Sequence, residues 1–161
     1  MARWVIDAAY GEKENGYIGK KGRTEKSVTL DAAIEAMKVL KLNDEEVFLI
    51  RSNDSYIELD DRIDWTKKWK ADYYICFAMN FDEDENITGT HMYIKSNNEA
   101  SRELGNIISA DMALAFRNSK NEVEEKEDYI LNKLEIPSVI CLGDFISNIN
   151  VENNFDAKKI W

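Results

Sequence analysis

Residues 72–79 read Asp-Tyr-Tyr-Ile-Cys-Phe-Ala-Met, an almost continuous apolar run of strand length. A run of this kind predicts a strand that is covered on both faces, as in the middle of an α/β sheet. Shorter apolar or β-branched runs predict the neighbouring strands at 3–8, 46–51, 89–95, 129–131 and 138–142. The residues predicted to lie on the strands of the sheet are Val5, Phe48, Ile75, Tyr93, Ile130 and Val139.

Helical patterns alternate with these strands. Apolar side chains recur at helical spacing in 27–41, 60–70 and 98–117, whereas the acidic stretch 122–128 predicts a polar loop. Alternating strands and helices indicate a layered α/β domain. We therefore predict an α/β fold over residues 1–161, in which a single mixed β-sheet is flanked by helices.

The composition narrows the range of functions. The 161 residues include 21 Lys and Arg against 31 Asp and Glu, a net charge of −10 that disfavours a nucleic-acid partner. No apolar run reaches the roughly 18 residues that a membrane span needs, so no membrane association is expected. The first residues, Met-Ala-Arg-Trp-Val-Ile-Asp, lack the apolar core of a signal peptide, which predicts a cytoplasmic location.

Several catalytic and binding motifs can be excluded from the residue types present. Cys76 and Cys141 each lie in an apolar run and are predicted to be buried thiols. His91 is the sole histidine, which excludes a zinc finger and disfavours a Cys–His or Ser–His nucleophile. The glycine-rich loop 16–22 lacks the spacing of a phosphate-binding P-loop. The acidic stretch 82–86 is not the start of an EF-hand calcium-binding loop, because the required glycine and final carboxylate are missing after it.

Five segments carry a resemblance to a known family. They are Val5-Ile6-Asp7-Ala8, Glu25-Lys26-Ser27-Val28-Thr29-Leu30, the segment 71–80, Ser101-Arg102-Glu103-Leu104 and the segment 137–148. In these segments the chain resembles the zinc-dependent N-acetylmuramoyl-L-alanine amidases, which include bacterial autolysins and phage endolysins. The resemblance extends over nearly the whole chain and implies the amidase fold; one interpretation is an origin in a prophage endolysin.

The same resemblance implies a zinc site made by a His, a Glu and a second His, with a further Glu as general base. The matching positions in this sequence are Tyr10, Glu25, Ala78 and Leu142. Alanine and leucine offer no lone pair, so we expect no zinc, no other cofactor and no catalytic residue at these positions. Asp144 would lie roughly 6.7 Å beyond Leu142 along an extended strand, too far to replace the general base.

A candidate binding cleft remains at this end of the sheet, with Tyr10, Glu25, Asn80 and Asp144. We expect the Tyr10 ring to pack toward Leu142 and to fill part of the former metal pocket. Glu25 is expected either to accept a hydrogen bond, from the Tyr10 hydroxyl or from a backbone N–H, or to turn to solvent, because an unpartnered buried carboxylate is costly.

Three functions stay open. The first is a catalytically inactive amidase-like protein that binds peptidoglycan fragments or a protein partner. The second is a relic or a self-associating structural protein, because the chain is short after Asn148 and an uncovered sheet face would favour a homo-oligomer. The third is an active cell-wall amidase that uses other ligands. The cell wall would be reached only through a pore or by lysis.

Overall fold

The computed structural model describes residues 1–116 and 121–159. The six strands in these ranges are β1 (Arg3–Ala8), β2 (Glu46–Leu49), β3 (Tyr73–Asn80), β4 (Thr90–Ile94), β5 (Asn121–Glu125) and β6 (Ser138–Phe145). The helices are α1 (Glu25–Leu42), α2 (Leu59–Trp69), α3 (Glu99–Phe116), α4 (Tyr129–Lys133) and α5 (Ile149–Asn154), followed by a 3-10 turn at Ala157–Lys159. No helix within the described ranges has both the length and the apolar composition that crossing a bilayer requires.

The strands form one sheet in the order β2-β1-β3-β6-β4-β5. The first four in this order run parallel, β4 runs antiparallel to β6, and β5 runs parallel to β4. The prediction of a single mixed sheet is therefore confirmed. The apolar run that indicated a central strand is β3, which lies between β1 and β6.

Helices cover both faces of the sheet. On one face α1 and α3 pack on alternate strand residues such as Ile6 and Val139, and Cys141 is buried there. On the other face α2 and α4 pack on the alternate residues of the same strands, such as Val5. Cys76 is buried on this face. This alternation matches the continuous apolar strands, because a strand that is covered twice has no polar face.

Two predicted elements were wrong. Ile130 lies in α4 and not on a strand, because the Asp128 side chain accepts hydrogen bonds from the N–H groups of Ile130 and Leu131 and so caps a helix. The stretch 122–128, predicted as a loop, contributes β5, which pairs with β4. The predicted helix end at Arg117 falls outside the described residues.

Residues 149–159 cover the sheet end that we expected to be open. Phe155 and Ala157, which follow α5, pack with Val28 of α1 and Met79 of β3 in a small apolar cluster. The expectation of an uncovered sheet face at this end is therefore wrong, and the argument for self-association that depended on it no longer holds.

Candidate functional site

A buried charged network lies under the carboxyl end of β1. The Asp7 carboxylate is fully buried and accepts 2.6 Å hydrogen bonds from the Arg62 guanidinium and the Tyr74 hydroxyl. Arg62 also donates to the carbonyl oxygens of Ala8 and Tyr10. These contacts fix the backbone at the point where the chain leaves the sheet, which is where the resemblance places the site.

Glu25, the first residue of α1, is buried beside this point. Its Oε1 accepts a 2.7 Å hydrogen bond from the Met79 N–H, and its Oε2 accepts a 2.9 Å bond from the Tyr17 N–H. Burial raises the pKa of Glu25, and the two N–H donors oppose that rise. Of the arrangements expected for this carboxylate, the structure has the hydrogen bond from backbone N–H groups.

A cavity of about 450 Å³ opens next to these residues, on the sheet face that carries α2 and α4. Tyr10, Ala78 and Leu142, three of the four positions matched to the family's zinc site, line it. The rest of the wall is mixed aromatic, aliphatic and charged, and includes Tyr56, Tyr93, Ile57, Ile130, Ile140, Glu14 and Lys126. The Lys126 ammonium lies 4.1 Å from the centre of the Tyr93 ring.

Tyr10 forms part of the wall of this cavity. Tyr10 has a left-handed backbone (φ 67°), and its side chain is 36% exposed. The ring lies against Gly16, where an added Cβ would come within 2.7 Å of a Tyr10 ring carbon and 2.5 Å of Glu25 Oε2. Tyr10 thus lies at the cavity wall beside Glu25, and Leu142 lines the same cavity; packing of the Tyr10 ring toward Leu142 stays a prediction.

Of the four residues of the candidate cleft, Tyr10 lines the cavity and has Glu25 beside it, whereas Glu25, Asn80 and Asp144 are not among the residues that line the cavity. Asp144 is buried and accepts hydrogen bonds from the N–H groups of Gly89 and Phe145. A bulge shifts the β3–β6 register between Ala78 and Asn80, so the simple alternation that placed Asp144 on the face of Leu142 is lost.

The residues at the four matched positions do not fit a zinc ion. Ala78 and Leu142 have no donor atom, and each oxygen of Glu25 already accepts a hydrogen bond from the backbone. The Tyr10 hydroxyl would have to ionise to be a strong ligand, but burial and the charge of Glu25 raise its pKa. A catalytic zinc needs three protein ligands, and this donor set supplies at most one carboxylate.

One set of metal-ligating side chains in the described ranges lies elsewhere on the sheet. His91 of β4 and Glu122 and Glu124 of β5 have ligand atoms that lie within 4.8 Å of one another. The two glutamates were not predicted as ligands, because 122–128 was predicted to be a loop. The alternation Glu-Val-Glu at 122–124, which puts both carboxylates on one strand face, was the signal that could have found them.

The glycine-rich loop that was excluded as a phosphate site binds a carboxylate of the same chain, that of Glu152. The Glu152 carboxylate, on α5, is buried and accepts hydrogen bonds from the N–H groups of Lys21 and Arg23 at 2.9–3.1 Å. Arg23 in turn donates to the carbonyl oxygens of Glu152 and Phe155. Together with the hydrogen bond from the Tyr17 N–H to Glu25, this contact ties the loop to α1 and α5.

The fold and a match to a known sequence family together define the class of protein. The sequence profile described as N-acetylmuramoyl-L-alanine amidase matches residues 5–160, so the chain belongs to this family of cell-wall hydrolases. The solved catalytic domain of CwlV, an N-acetylmuramoyl-L-alanine amidase from Bacillus (Paenibacillus) polymyxa var. colistinus, superimposes with a TM-score of 0.92 at 25% identity. That similarity covers 99% of this chain and 92% of the solved one, which confirms the predicted amidase fold.

Two curated relatives are similar over most of this chain but are longer than it. A putative N-acetylmuramoyl-L-alanine amidase of Buchnera aphidicola subsp. Acyrthosiphon pisum is 29% identical over 134 residues, which are 80% of this chain and 56% of the relative. The N-acetylmuramoyl-L-alanine amidase LytC of Bacillus subtilis is 27% identical over 157 residues, which are 96% of this chain and 30% of LytC.

Proposed function

We propose that this chain is a catalytically inactive member of the amidase family, and that it binds peptidoglycan fragments without cutting them. The observation that carries the proposal is the donor set at the family's site. Ala78 and Leu142 replace a zinc ligand and the general base, and Glu25 is engaged with the N–H groups of Tyr17 and Met79. Loss of the general base alone costs about 10²–10⁴ in rate.

The cavity supports binding at the same place. Tyr10, which is partly exposed, lines it together with Tyr56, Tyr93 and Lys126. Aromatic faces pack on the C–H groups of sugars, and a lysine ammonium pairs with peptide carboxylates. A cavity of about 450 Å³ lies within the roughly 300–1,000 Å³ of small-ligand sites, enough for part of a muropeptide.

Two assays on the full chain test the proposal. With added zinc, we expect no release of soluble muropeptides from insoluble peptidoglycan, whereas an active amidase in the same buffer releases them. We expect the chain to co-sediment with that peptidoglycan, and Tyr56→Ala to weaken co-sedimentation. Tyr129→Ala is the matched control, because Tyr129 is half exposed and does not line the cavity.

Each other outcome favours one of the remaining functions. Turnover that a chelator abolishes would overturn the proposed inactivity and favour an amidase with other ligands. Failure to co-sediment would overturn the proposed ligand and leave a protein partner, a relic or a structural role.

A further inference from the structure

We infer that His91, Glu122 and Glu124 form a zinc site that is separate from the family's site. The sheet register places these residues in line with the family's site. Ala78 is paired with Leu142, Leu142 with His91, and His91 with Glu122. Residues paired in register point to the same face, so this row runs from the former zinc-ligand position to the new cluster. Neighbouring strands of a sheet are about 4.8 Å apart. His91 therefore lies one strand away from Leu142, and Glu122 lies two strands away from it.

The ligand atoms are close enough for one ion. His91 Nδ1 lies 3.1 Å from Glu124 Oε1 and 3.9 Å from Glu122 Oε2, and all three ligand atoms lie within 4.8 Å of one another. Ligands of a tetrahedral zinc, at bonds of about 2.0–2.2 Å, are separated by roughly 3.3–3.5 Å. The carboxylates therefore need to move by only about an ångström, and their exposed side chains are free to do so.

The charges in the cluster favour a cation. The cluster contains the two carboxylates of Glu122 and Glu124 and the imidazole of His91. Within the described parts of the chain, His91 is the basic side chain that lies within ion-pairing distance of these carboxylates. Neighbouring basic groups are engaged elsewhere, since Lys126 lies over Tyr93 and Arg102 pairs with Glu125 at 2.7 Å. A divalent ion would neutralise the repulsion between the two carboxylates.

The ligand types favour zinc over magnesium and calcium. Imidazole nitrogen together with carboxylate oxygen suits zinc, whereas magnesium and calcium prefer oxygen ligands alone. The His91 ring is held by an edge contact with Phe145, at 5.9 Å between ring centres, so one ligand is already positioned. Three protein ligands would leave a fourth coordination position for water.

Calorimetric titration of the metal-stripped full chain with Zn²⁺ tests this site. We expect about one equivalent to bind, and His91→Gln, or Glu122→Gln combined with Glu124→Gln, to weaken binding about tenfold or more. Glu83→Gln removes an exposed carboxylate elsewhere and should leave binding unchanged. Circular dichroism without zinc shows whether each variant keeps its fold.

The outcomes separate this site from the proposed function. Zinc binding that His91→Gln abolishes, without muropeptide release, supports both. Zinc-dependent turnover that His91→Gln abolishes would support the site and overturn the inactivity. No binding by the unmodified chain, or binding that His91→Gln leaves unchanged, would overturn the zinc site and leave the proposed function standing.

Discussion

The Glu25 carboxylate accepts a 2.7 Å hydrogen bond from the Met79 N–H, which joins the first turn of α1 to the end of β3. The position that the resemblance matches to a zinc ligand is thus occupied by a group that holds two backbone segments together. A carboxylate in this position contributes to the stability of the fold, because it links α1 to β3.

The pH dependence of stability should report the burial of Glu25. Burial raises its pKa above the ordinary 4.5, so the folded chain holds this proton more tightly than the unfolded chain does. The contribution of Glu25 to the free energy of unfolding therefore falls as pH rises from about 4.5 to the raised pKa, and it is constant above that.

Urea denaturation of the unmodified chain and of Glu25→Gln, from about pH 4 to about pH 8, measures this contribution. We expect the unmodified chain to lose stability relative to Glu25→Gln across that window. A relative gain in stability with rising pH would mean that the N–H groups of Tyr17 and Met79 outweigh burial.

Gly16 should be more sensitive to alanine than Gly22. Both have a left-handed backbone, with φ of 66° and 89°, which costs alanine about 1–2 kcal/mol. An added Cβ at Gly22 meets nothing within 4 Å, whereas at Gly16 it meets Glu25 Oε2 at 2.5 Å and the Tyr10 ring at 2.7 Å. We expect Gly16→Ala to cost about 1–3 kcal/mol more than Gly22→Ala in thermal or urea unfolding. Equal costs would show that the loop gives way without strain.

The network around Asp7 should depend more on Arg62 than on Tyr74. Removing the guanidinium with Arg62→Met leaves a buried carboxylate unpaired and should cost about 3–5 kcal/mol. Tyr74→Phe removes one hydrogen bond to a charged acceptor and should cost about 1.5–3 kcal/mol. Urea denaturation gives both values, and a larger loss for Tyr74→Phe would assign the main partner of Asp7 to the hydroxyl.

Restoring the missing donors should restore zinc binding at the family's site. We expect Tyr10→His combined with Ala78→His to bind zinc together with Glu25, which lies beside Tyr10 and whose oxygens each keep a second lone pair next to their backbone hydrogen bond. Both substituted positions line the cavity, and histidine tolerates the left-handed backbone at position 10. The control, Tyr10→Phe with Ala78→Leu, adds bulk without a lone pair and should bind none there. The comparison is made with His91→Gln in both chains, so that zinc at β4 and β5 does not contribute. Failure of the double histidine variant would show that the site lost more than its ligands.

Much of the fold followed from local patterns, because the long apolar and helical stretches each point to one structure. The errors came from short segments. The three apolar residues at 129–131 resemble a strand, but Asp128 caps a helix there, and a capping side chain outweighs the propensity of so short a run. β5 was not predicted as a strand because its residues are mostly acidic. It is a strand because it pairs with β4, and that tertiary contact outweighs the local preference of its residues.

At the candidate site, the sequence could predict only those features that depend on which residue occupies a position. It could not predict where the side chains lie. That Ala78 and Leu142 cannot hold a metal follows from their chemistry alone. The place of Asp144 depended on strand alternation, and a bulge that no local pattern announces changed it. The position of Tyr10 depended on the loop that Glu25 and Glu152 hold, and contacts across so many residues are beyond sequence periodicity.

The contact of Glu152 with the loop also sets an order of events during synthesis. Lys21 and Arg23 leave the ribosome early, but the carboxylate that accepts their N–H groups follows about 130 residues later. The loop that follows β1 therefore lacks this partner on the nascent chain until α5 has emerged. Because α5 follows β6 in the sequence, this loop takes its final place only after every strand of the sheet has been synthesised.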